Sequence, residues 1–110
     1  MKHEEGIMAV GYEVMVEVRE DLGIAFERYM REKHIPEILA TGCFTAIVFE
    51  QASSLKFRTR YEAATQADLD CYLAKYTDQF RADFMVHFPI GCTASREVWA
   101  ELHRFPTAPR

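Results

Sequence analysis

Alternating apolar residues near the start of the chain predict a β-strand. Side chains of a strand point to opposite faces in turn, and β-branched residues are typical of strands. The apolar positions are Val10, Tyr12, Val14, Val16 and Val18, and they alternate with Gly11, Glu13, Met15, Glu17 and Arg19. We therefore predict a first strand from Val10 whose valine side is buried.

After this strand the apolar residues recur at helical spacing, which predicts a first helix. Asp21 is a suitable N-cap for it. Pro36 is expected to interrupt the helix and to push Ile35 out of the helical region, with a short second turn after the proline. Gly42 stands where a left-handed residue would end that turn.

Two strands joined by a short polar turn are predicted over residues 43–52 and 56–64, which is the pattern of a hairpin. In the second of them, Phe57, Thr59, Tyr61 and Ala63 alternate with Lys56, Arg58, Arg60 and Glu62. A second helix is predicted to begin after Thr65, because Asp68 three residues later completes a sequence similar to a capping box. Its apolar stripe continues to Phe80.

Renewed alternation predicts a fourth strand over residues 82–88. Phe84, Val86 and Phe88 alternate there with Asp83, Met85 and His87, and the run ends at Pro89 to Gly91. Residues 92–110 fit both a helix and an outlying strand, and the strand is the preferred interpretation.

The order of these elements predicts a ferredoxin-like α+β fold, βαββαβ, with an antiparallel sheet and two helices on one face. The first and third strands are central in this topology. Glu13, Glu17, Arg58 and Arg60 then point to the face that the helices leave open, where opposite charges pair across strands. We expect a single domain over residues 1–110 with its core at about 10–103.

The open face also carries apolar side chains, which predicts an interface. Met15, Met85 and one side of the second strand would otherwise meet water, that side being either Phe44, Ala46 and Val48 or Cys43, Thr45, Ile47 and Phe49. Two copies packing face to face bury this surface, so we expect a homodimer. Arg58, Arg60, Glu13 and His87 either line a ligand cavity or align the two chains. The second interpretation is preferred because interfacial ion pairs commonly give specificity.

Composition and charge limit the classes of partner and the cellular compartment that we expect. A net charge of −4 over 110 residues, with no Lys/Arg cluster, argues against a nucleic-acid partner. The apolar runs are too short for a membrane span, and no secretory signal is recognised at the N-terminus. The three cysteines show no paired spacing. A cytoplasmic protein with free thiols is therefore expected.

The eleven residues from His34 to Phe44 resemble the signature of an uncharacterised bacterial family, of the domain-of-unknown-function kind, in the dimeric α+β barrel superfamily. Further similar stretches are Tyr61 with Ala63–Ala64, Asp68–Tyr72, Arg81–Phe84, His87–Pro89 and Ser95–Val98. The resemblance spans roughly residues 10 to 103 and implies the barrel fold and dimerisation. The superfamily includes cofactor-free monooxygenases, haem proteins and muconolactone-type isomerases, but the resemblance implies no reaction for this chain.

Seven residues are candidates for a cavity: Tyr12, His34, Thr41, Cys43, Arg58, Arg60 and His87. His34 is either an acid–base group or a cation at a helix C-terminus, and both interpretations stay open. Cys43 is a nucleophile if His34 lies near, but a buried thiol in a tight turn is preferred. The histidine and cysteine spacings predict no metal site and no cofactor.

Two functions follow from these patterns together with the resemblance. The preferred one is a dimeric small-ligand-binding or interaction protein with a hydrophobic ligand. The alternative is a cofactor-free monooxygenase- or isomerase-like enzyme acting on a small hydrophobic carbonyl or aromatic compound, with His34, Arg60 and Tyr12 as its polar groups. In the interior of the open face, a cavity of roughly 300 Å³ or more with convergent His, Arg and Tyr side chains would favour the enzyme. The polar residues Arg81, Asp83 and Arg96 are expected to clamp the tail, and Trp99 to pack on the partner chain.

Overall fold

The structure is a computed structural model that describes residues 9–106. A four-stranded antiparallel sheet has the strand order β2-β3-β1-β4. The strands are β1 (Val10–Val18), β2 (Ala46–Ser53), β3 (Lys56–Ala63) and β4 (Cys92–Ala100). The helices are α1 (Gly23–Tyr29), α2 (Ile35–Leu39), α3 (Gln66–Lys75) and α4 (Thr77–His87). The predicted ferredoxin-like α+β order and the central places of β1 and β3 are confirmed.

The alternation of β1 divides the sheet into two different faces. Val10, Tyr12, Val16 and Val18 are buried beneath the helices. Their neighbours on β3 are buried too, among them Phe57 opposite Val16. The same register places Glu13 opposite Arg60 on the other side of the sheet. The predicted orientation of both strands is confirmed.

The side of the sheet away from the helices is called the open face. By strand register it carries Gly11, Glu13, Met15 and Glu17 from β1, Ala46, Val48 and Glu50 from β2, Lys56, Arg58, Arg60 and Glu62 from β3, and Thr93, Ser95, Glu97 and Trp99 from β4. The register therefore selects the Ala46–Val48 side of the second strand. Phe44 is buried against Tyr61 on the helix side. The open face is more strongly charged than the sequence alone suggested.

The first crossover is a continuous helical segment rather than a broken helix. A π turn, Met30–His34, joins α1 to α2, and the Ile35 N–H donates to the Met30 carbonyl five residues earlier. Ile35 keeps helical dihedrals, φ −67° and ψ −46°, so the prediction that Pro36 displaces it was wrong. The widened turn gives the proline ring room, because a ring in a regular helix clashes with the carbonyl four residues before it.

The sequence predicted the C-terminal end of this segment correctly but not its N-terminal end. Asp21 is not an N-cap: a single 3₁₀ turn, Glu20–Leu22, precedes α1, and the Asp21 carboxylate binds the Arg19 guanidinium at 2.6 Å. Gly42 has a φ of +78°, as predicted for a left-handed residue after the helix. That residue turns the chain toward β2.

The predicted fourth strand over residues 82–88 was wrong, because these residues belong to α4. Thr65 does cap α3, its hydroxyl accepting the Asp68 N–H at 3.1 Å, and Tyr76 separates α3 from α4. The place beside β1 is taken by residues 92–100, each of which has a partner on β1 from Val10↔Ala100 to Val18↔Cys92. The interpretation of the tail as a strand is confirmed for residues 92–100, which form an edge strand of this sheet, whereas residues 101–106 form no strand and residues 107–110 lie outside the described part.

Two adjoining clusters form the core between the sheet and the helices. One surrounds Leu69, Tyr61 and Tyr72, and the other surrounds Phe26 and Phe57. Phe26 and Leu69 are fully buried. None of the helices described within residues 9–106 combines the length and apolar character needed to cross a membrane.

Candidate functional site: a cavity between helices and sheet

A cavity of about 240 Å³ lies between the buried side of the sheet and the helices, and we call it the helix–sheet cavity. Its walls are mostly apolar and come from alternate residues of β1 and from one stripe of α4. The lining residues are Tyr12, Val14, Val16, Phe26, Met30, His34, Tyr61, Tyr72, Thr77, Phe80, Arg81, Phe84, Met85, Cys92, Ala94 and Arg96. Such a space admits a small molecule.

Three tyrosines stand together at one end of the helix–sheet cavity. The ring of Tyr12 lies 5.8 Å from Tyr61 and 6.5 Å from Tyr72, centroid to centroid. Burial raises the pKa of Tyr72 to about 12 and also raises the pKa of Tyr61. These hydroxyls therefore stay protonated near neutral pH and can act as neutral hydrogen-bond donors or acceptors.

Two arginines stand at the exposed side of the cavity. Arg81 comes from α4 and donates to the Tyr12 hydroxyl at 3.3 Å. Arg96 comes from β4, opposite Val14 on β1. Within residues 9–106, neither guanidinium has a carboxylate within ion-pair distance. A guanidinium without a carboxylate partner is suited to binding an anionic or carbonyl oxygen.

A hydrogen-bonded chain borders the cavity beside these groups. The Tyr29 hydroxyl donates to Oδ2 of Asp83 at 2.7 Å and lies 3.2 Å from Nδ1 of His34. Lys33 Nζ is 3.2 Å from the same Asp83 oxygen. The hydrogen bond from Tyr29 lowers the pKa of Asp83, and burial lowers the pKa of His34 to about 4. At neutral pH the carboxyl is therefore charged and the imidazole is neutral.

Of the candidate residues, Tyr12 and His34 line the helix–sheet cavity. Thr41 and Cys43 lie in the connection after α2, where the Thr41 hydroxyl donates to the Ile38 carbonyl at 2.7 Å and accepts the Cys43 N–H at 3.3 Å. Cys43 packs against the cluster around Tyr61. This local bonding is the tight-turn arrangement preferred above.

Arg58 and Arg60 lie on the open face, on the other side of the sheet from Tyr12 and His34. Arg58 binds Glu50 at 2.6 Å and stands 3.6 Å from Glu13, while Arg60 binds Glu62 at 3.1 Å. A second depression of about 560 Å³ lies beside Arg58, among Met15, Glu50 and Lys56. We favour the helix–sheet cavity as a site because aromatic rings line it and its two arginines have no carboxylate partner within residues 9–106, whereas Arg58 beside the second depression is paired with Glu50.

His87 and Met85 do not lie on the open face, because both belong to α4. Met85 lines the helix–sheet cavity. The His87 ring stands 4.5 Å from that of Tyr29, and its Nδ1 lies 2.9 Å from the Asp83 carbonyl. The idea that His87 joins Glu13, Arg58 and Arg60 in one cavity was therefore wrong.

Four polar residues of the site were not among the sequence candidates: Tyr29, Arg81, Asp83 and Arg96. Arg81, Asp83 and Arg96 were interpreted as a clamp for the tail, but Asp83 binds Tyr29 and Lys33 instead. A signal was available in Phe80, Phe84 and Phe88, whose spacing of four predicts a helix. On a helix, Arg81 and Phe84 share a face with Phe80, and that face lines the cavity.

A metal centre would need several ligating side chains that converge on one point. Across residues 9–106, no group of three or more His, Cys, Asp or Glu side chains is placed so as to hold a metal ion. His34 and Cys92 line the cavity together, but they are two residues of different chemistry on different elements. The polar side chains that line the cavity are those of tyrosine, arginine, histidine, threonine and cysteine residues.

The fold and the cavity together define an α+β protein of ferredoxin-like type. The chain belongs to the DUF4286 family, a domain of unknown function, which matches residues 9–102. This is consistent with the family suggested by the His34–Phe44 segment. No curated protein shows a significant sequence match to the chain.

Solved structures share the fold at low sequence identity. A Nitrosomonas europaea protein of unknown function, NE2512, has a TM-score of 0.73 and 16% identity, covering 94% of this chain and 99% of its own. SnoaB from Streptomyces nogalater, a cofactor-independent oxygenase, has a TM-score of 0.70 and 11% identity, covering 90% and 98%. A dimeric ferredoxin-like protein from an uncultured marine organism has a TM-score of 0.67 and 11% identity, covering 89% and 99%. At these identities the similarity establishes the fold alone.

Proposed function

We propose that the protein binds a small, largely apolar molecule with an anionic group in the helix–sheet cavity. The observation that carries this proposal is the pairing of an apolar enclosure with two arginines that lack carboxylate partners among residues 9–106. An apolar pocket with a few convergent polar groups is the usual form of a ligand site. The ligand's apolar part would lie among the rings, and its charged end would face Arg81 and Arg96.

The enclosure limits the size of this ligand. Its volume is about 240 Å³, and it lies on the helix side of the sheet rather than in the interior of the open face, for which a cavity of roughly 300 Å³ or more was the expectation for an enzyme. His, Arg and Tyr side chains line it. A single-ring aromatic acid is of suitable size. The rings of Phe80, Phe84 and Tyr72 offer it apolar and aromatic contacts.

The binding test uses benzoylformate, an aromatic 2-oxo acid, as the probe. Isotope-labelled protein is titrated while amide and methyl resonances are followed by NMR. We expect a dissociation constant below about 1 mM, with the shifted signals clustered around Met85 and Val14. The uncharged methyl ester should bind at least about tenfold more weakly, because it cannot form the charge-assisted bonds.

Matched arginine variants separate the cavity from the open face. Arg96→Met should weaken benzoylformate binding about tenfold, whereas Arg58→Met on the open face should leave it unchanged. Absence of binding, or shifts confined to the open face, would contradict the proposal. Equal binding of the acid and its ester would contradict the proposal that the ligand needs an anionic group.

The open face supports a second part of the proposed function, assembly as a homodimer. No described helix covers this face, and Trp99 on it is 54% exposed. By strand register the same face also carries the apolar residues Met15 and Val48. A large exposed aromatic side chain next to polar pairs is typical of an interface. One structural neighbour is described as a dimeric ferredoxin-like protein.

Sedimentation velocity at micromolar concentration tests this assembly. We expect a dimer for the wild-type chain and a monomer for Trp99→Glu, because a charge would be buried without a partner. Val86→Glu is the matched control, since Val86 is 77% exposed on the outer side of α4. A wild-type monomer, or an equal effect of both substitutions, would overturn the dimer.

The cysteines support a reducing compartment such as the cytoplasm. Cys43, Cys71 and Cys92 are all free and half-buried. Stability in such a protein comes from packing rather than from cross-links. Unfolding curves with and without reductant should therefore coincide, and a loss of stability on adding reductant would contradict this placement.

A further inference from the structure

Three side chains from separate helical turns form one hydrogen-bonded chain beside the cavity. Asp83 is on α4, Tyr29 ends α1 and His34 ends the π turn. The Tyr29 hydroxyl stands between the other two, 2.7 Å from Asp83 Oδ2 and 3.2 Å from His34 Nδ1. Tyr29 is only 7% exposed, so its hydroxyl is held in this position by packing.

The hydrogens available in this hydrogen-bonded chain assign the tautomer of His34. A tyrosine hydroxyl has one hydrogen, and the ionised Asp83 carboxylate can only accept, so that hydrogen points to Asp83. The Tyr29 oxygen must then accept from His34, which places the imidazole hydrogen on Nδ1. Nε2 of a neutral imidazole with this tautomer has a free lone pair.

The unbonded nitrogen belongs to a side chain that lines the cavity. His34 lines the helix–sheet cavity, and its Nε2 makes no hydrogen bond within the described residues. No buried side-chain nitrogen or oxygen in that part of the chain is left without a partner, so Nε2 retains accessible space next to it. The cavity is thus lined by an imidazole with an unbonded nitrogen in addition to the two guanidinium groups.

We propose that His34 is the proton acceptor for a ligand in this cavity, and that the protein interconverts the keto and enol forms of a small apolar 2-oxo acid. This inference rests on the proposed binding function and names its substrate class. Nε2 would take the proton from the carbon beside the carbonyl. The C–H electron pair would form the C=C bond, and the carbonyl oxygen would gain the negative charge.

The surrounding groups balance the charges of this step. The enolate oxygen would face Arg81 or Arg96, and transfer of the proton from Nε2 to that oxygen gives the enol with its carboxylate unchanged, so no oxidant or reductant is consumed. The protonated imidazole keeps its Nδ1–H on Tyr29, and Asp83 behind Tyr29 supplies the opposing charge. Tyr29 and Asp83 are therefore positioning residues, because they orient the imidazole without touching the ligand.

Several charged groups near His34 affect its protonation. Asp83 and Glu37 favour the charged imidazole, Lys33 and His87 oppose it, and burial outweighs them all, which lowers the pKa of His34 to about 4. The free site therefore holds the base in its unprotonated form near neutral pH. A negative charge developing on the ligand would favour proton uptake at the moment of transfer.

The test follows exchange of the methylene hydrogens of phenylpyruvate with solvent D₂O by proton NMR. We expect the wild-type chain to accelerate exchange roughly a hundredfold or more over buffer at equal pH. Benzoylformate, which has no hydrogen on the carbon beside its carbonyl, is the binding control. His34→Gln should abolish the acceleration and should leave benzoylformate affinity within about threefold. His103→Gln, a matched change in the exposed tail, should behave as wild type.

Tyr29→Phe tests the positioning role separately. This variant should lower kcat for exchange with little change in KM, because the substrate does not touch Tyr29. Nitrogen NMR should show Nε2 of His34 unprotonated in the wild-type chain and a mixture of tautomers in the variant. Nε2 protonated in the free wild-type protein at neutral pH would overturn the inference.

The outcomes distinguish the inference from the function on which it rests. Wild-type protein that binds benzoylformate but does not accelerate exchange contradicts proton transfer and leaves binding intact. Exchange at the wild-type rate in His34→Gln contradicts the role of that residue. Failure of benzoylformate to bind overturns both proposals together.

Discussion

The alternating residues of β1 lie on two faces of the sheet, and the two faces have very different surroundings. On the helix side, Val10, Tyr12 and Val16 are all less than 8% exposed and border the core and the cavity. On the open face, Glu13 and Glu17 stand among the cations of β3. One strand therefore separates a buried, largely aromatic interior from a charged surface.

The polar groups on the two sides are also arranged differently. On the helix side of the sheet, the Tyr29 hydroxyl links His34 to Asp83 by two hydrogen bonds, which together specify one tautomer of His34. On the open face, Arg58 and Glu50 pair at 2.6 Å with both side chains more than a third exposed. Burial makes hydrogen bonds directional and costly to lose, whereas solvent weakens the surface pairs. Substitutions on each side, and a change of pH, should therefore have effects of very different size.

The largest expected effect is the removal of a ring on the helix side. Phe26→Ala should lower the free energy of unfolding by about 3–5 kcal/mol, because Phe26 is fully buried among the rings of Phe49, Phe57, Phe84 and Phe88. Urea unfolding measures it. Ala46→Gly on the open face should cost only about 1 kcal/mol. Equal losses at both positions would mean that the two sides of the sheet do not differ as described.

Acidification should come next in size. The unfolded His34 imidazole gains a proton near its ordinary pKa of 6.5, but the folded one does so only near pH 4. Between these values the unfolded chain binds more protons, so stability should fall as the pH decreases through this window, by about 2–3 kcal/mol in all. His34→Gln should lack this part of the pH dependence in urea unfolding. The same slope in wild type and variant would contradict burial of a neutral His34.

Loss of the Tyr29 hydroxyl should have a smaller effect. Tyr29→Phe removes the bond to the Asp83 carboxylate and leaves His34 Nδ1–H without its acceptor, so we expect a loss of about 1–3 kcal/mol. Thermal and urea unfolding measure the change. Tyr76→Phe is the matched control, because Tyr76 is only half-buried and no side-chain bond of its hydroxyl is seen within residues 9–106. A neutral Tyr29→Phe variant would show that the chain of hydrogen bonds is not formed in solution.

The smallest effect belongs to the open face. A double-mutant cycle of Arg58→Ala and Glu50→Ala should give a coupling free energy below about 1 kcal/mol at low salt. The coupling should weaken further at high salt, because solvent-exposed pairs are screened. A large coupling that resists salt would mean that this pair is buried, as it would be within a dimer interface. The cycle is therefore measured in the Trp99→Glu variant, which we expect to be monomeric and in which this pair stays exposed to solvent.

Much of the fold follows from local patterns in the sequence. The alternation in β1 and β3, the capping residue Thr65 and the left-handed Gly42 are each properties of a few adjacent residues, and the structure confirms them. The family was recognisable from residues 34–44 for the same reason. That residues 1–110 form one domain, that two copies assemble and that a ligand binds stay predictions.

The error over residues 82–88 shows where local patterns stop being sufficient. Phe84, Val86 and Phe88 alternate as in a strand, and Phe80, Phe84 and Phe88 repeat as in a helix. In the structure Val86 is 77% exposed and Phe88 is 6% exposed, so only the helical spacing corresponds to burial. A strand needs a hydrogen-bonded neighbour, and residues 92–100 already occupy the place beside β1.

The cavity was only partly predictable. His34 was singled out by its place at the end of the first helix within the 34–44 segment, and Tyr12 as a polar group of the alternative enzyme; both line the cavity. Arg81 and Arg96 were assigned to another role because residue 81 was taken to lead into a strand. Arg58 and Arg60 were placed on the open face from the alternation alone, and the strand register agrees.

The sequence by itself determined which side chains share a face, because the periods of strands and helices are set by local backbone geometry. It determined neither which segment pairs with β1 nor the π turn that keeps the helix continuous before Pro36. Those outcomes depend on competition between distant segments for the same hydrogen bonds and the same space. Only the tertiary structure therefore brought Asp83, Tyr29 and His34 together beside one cavity.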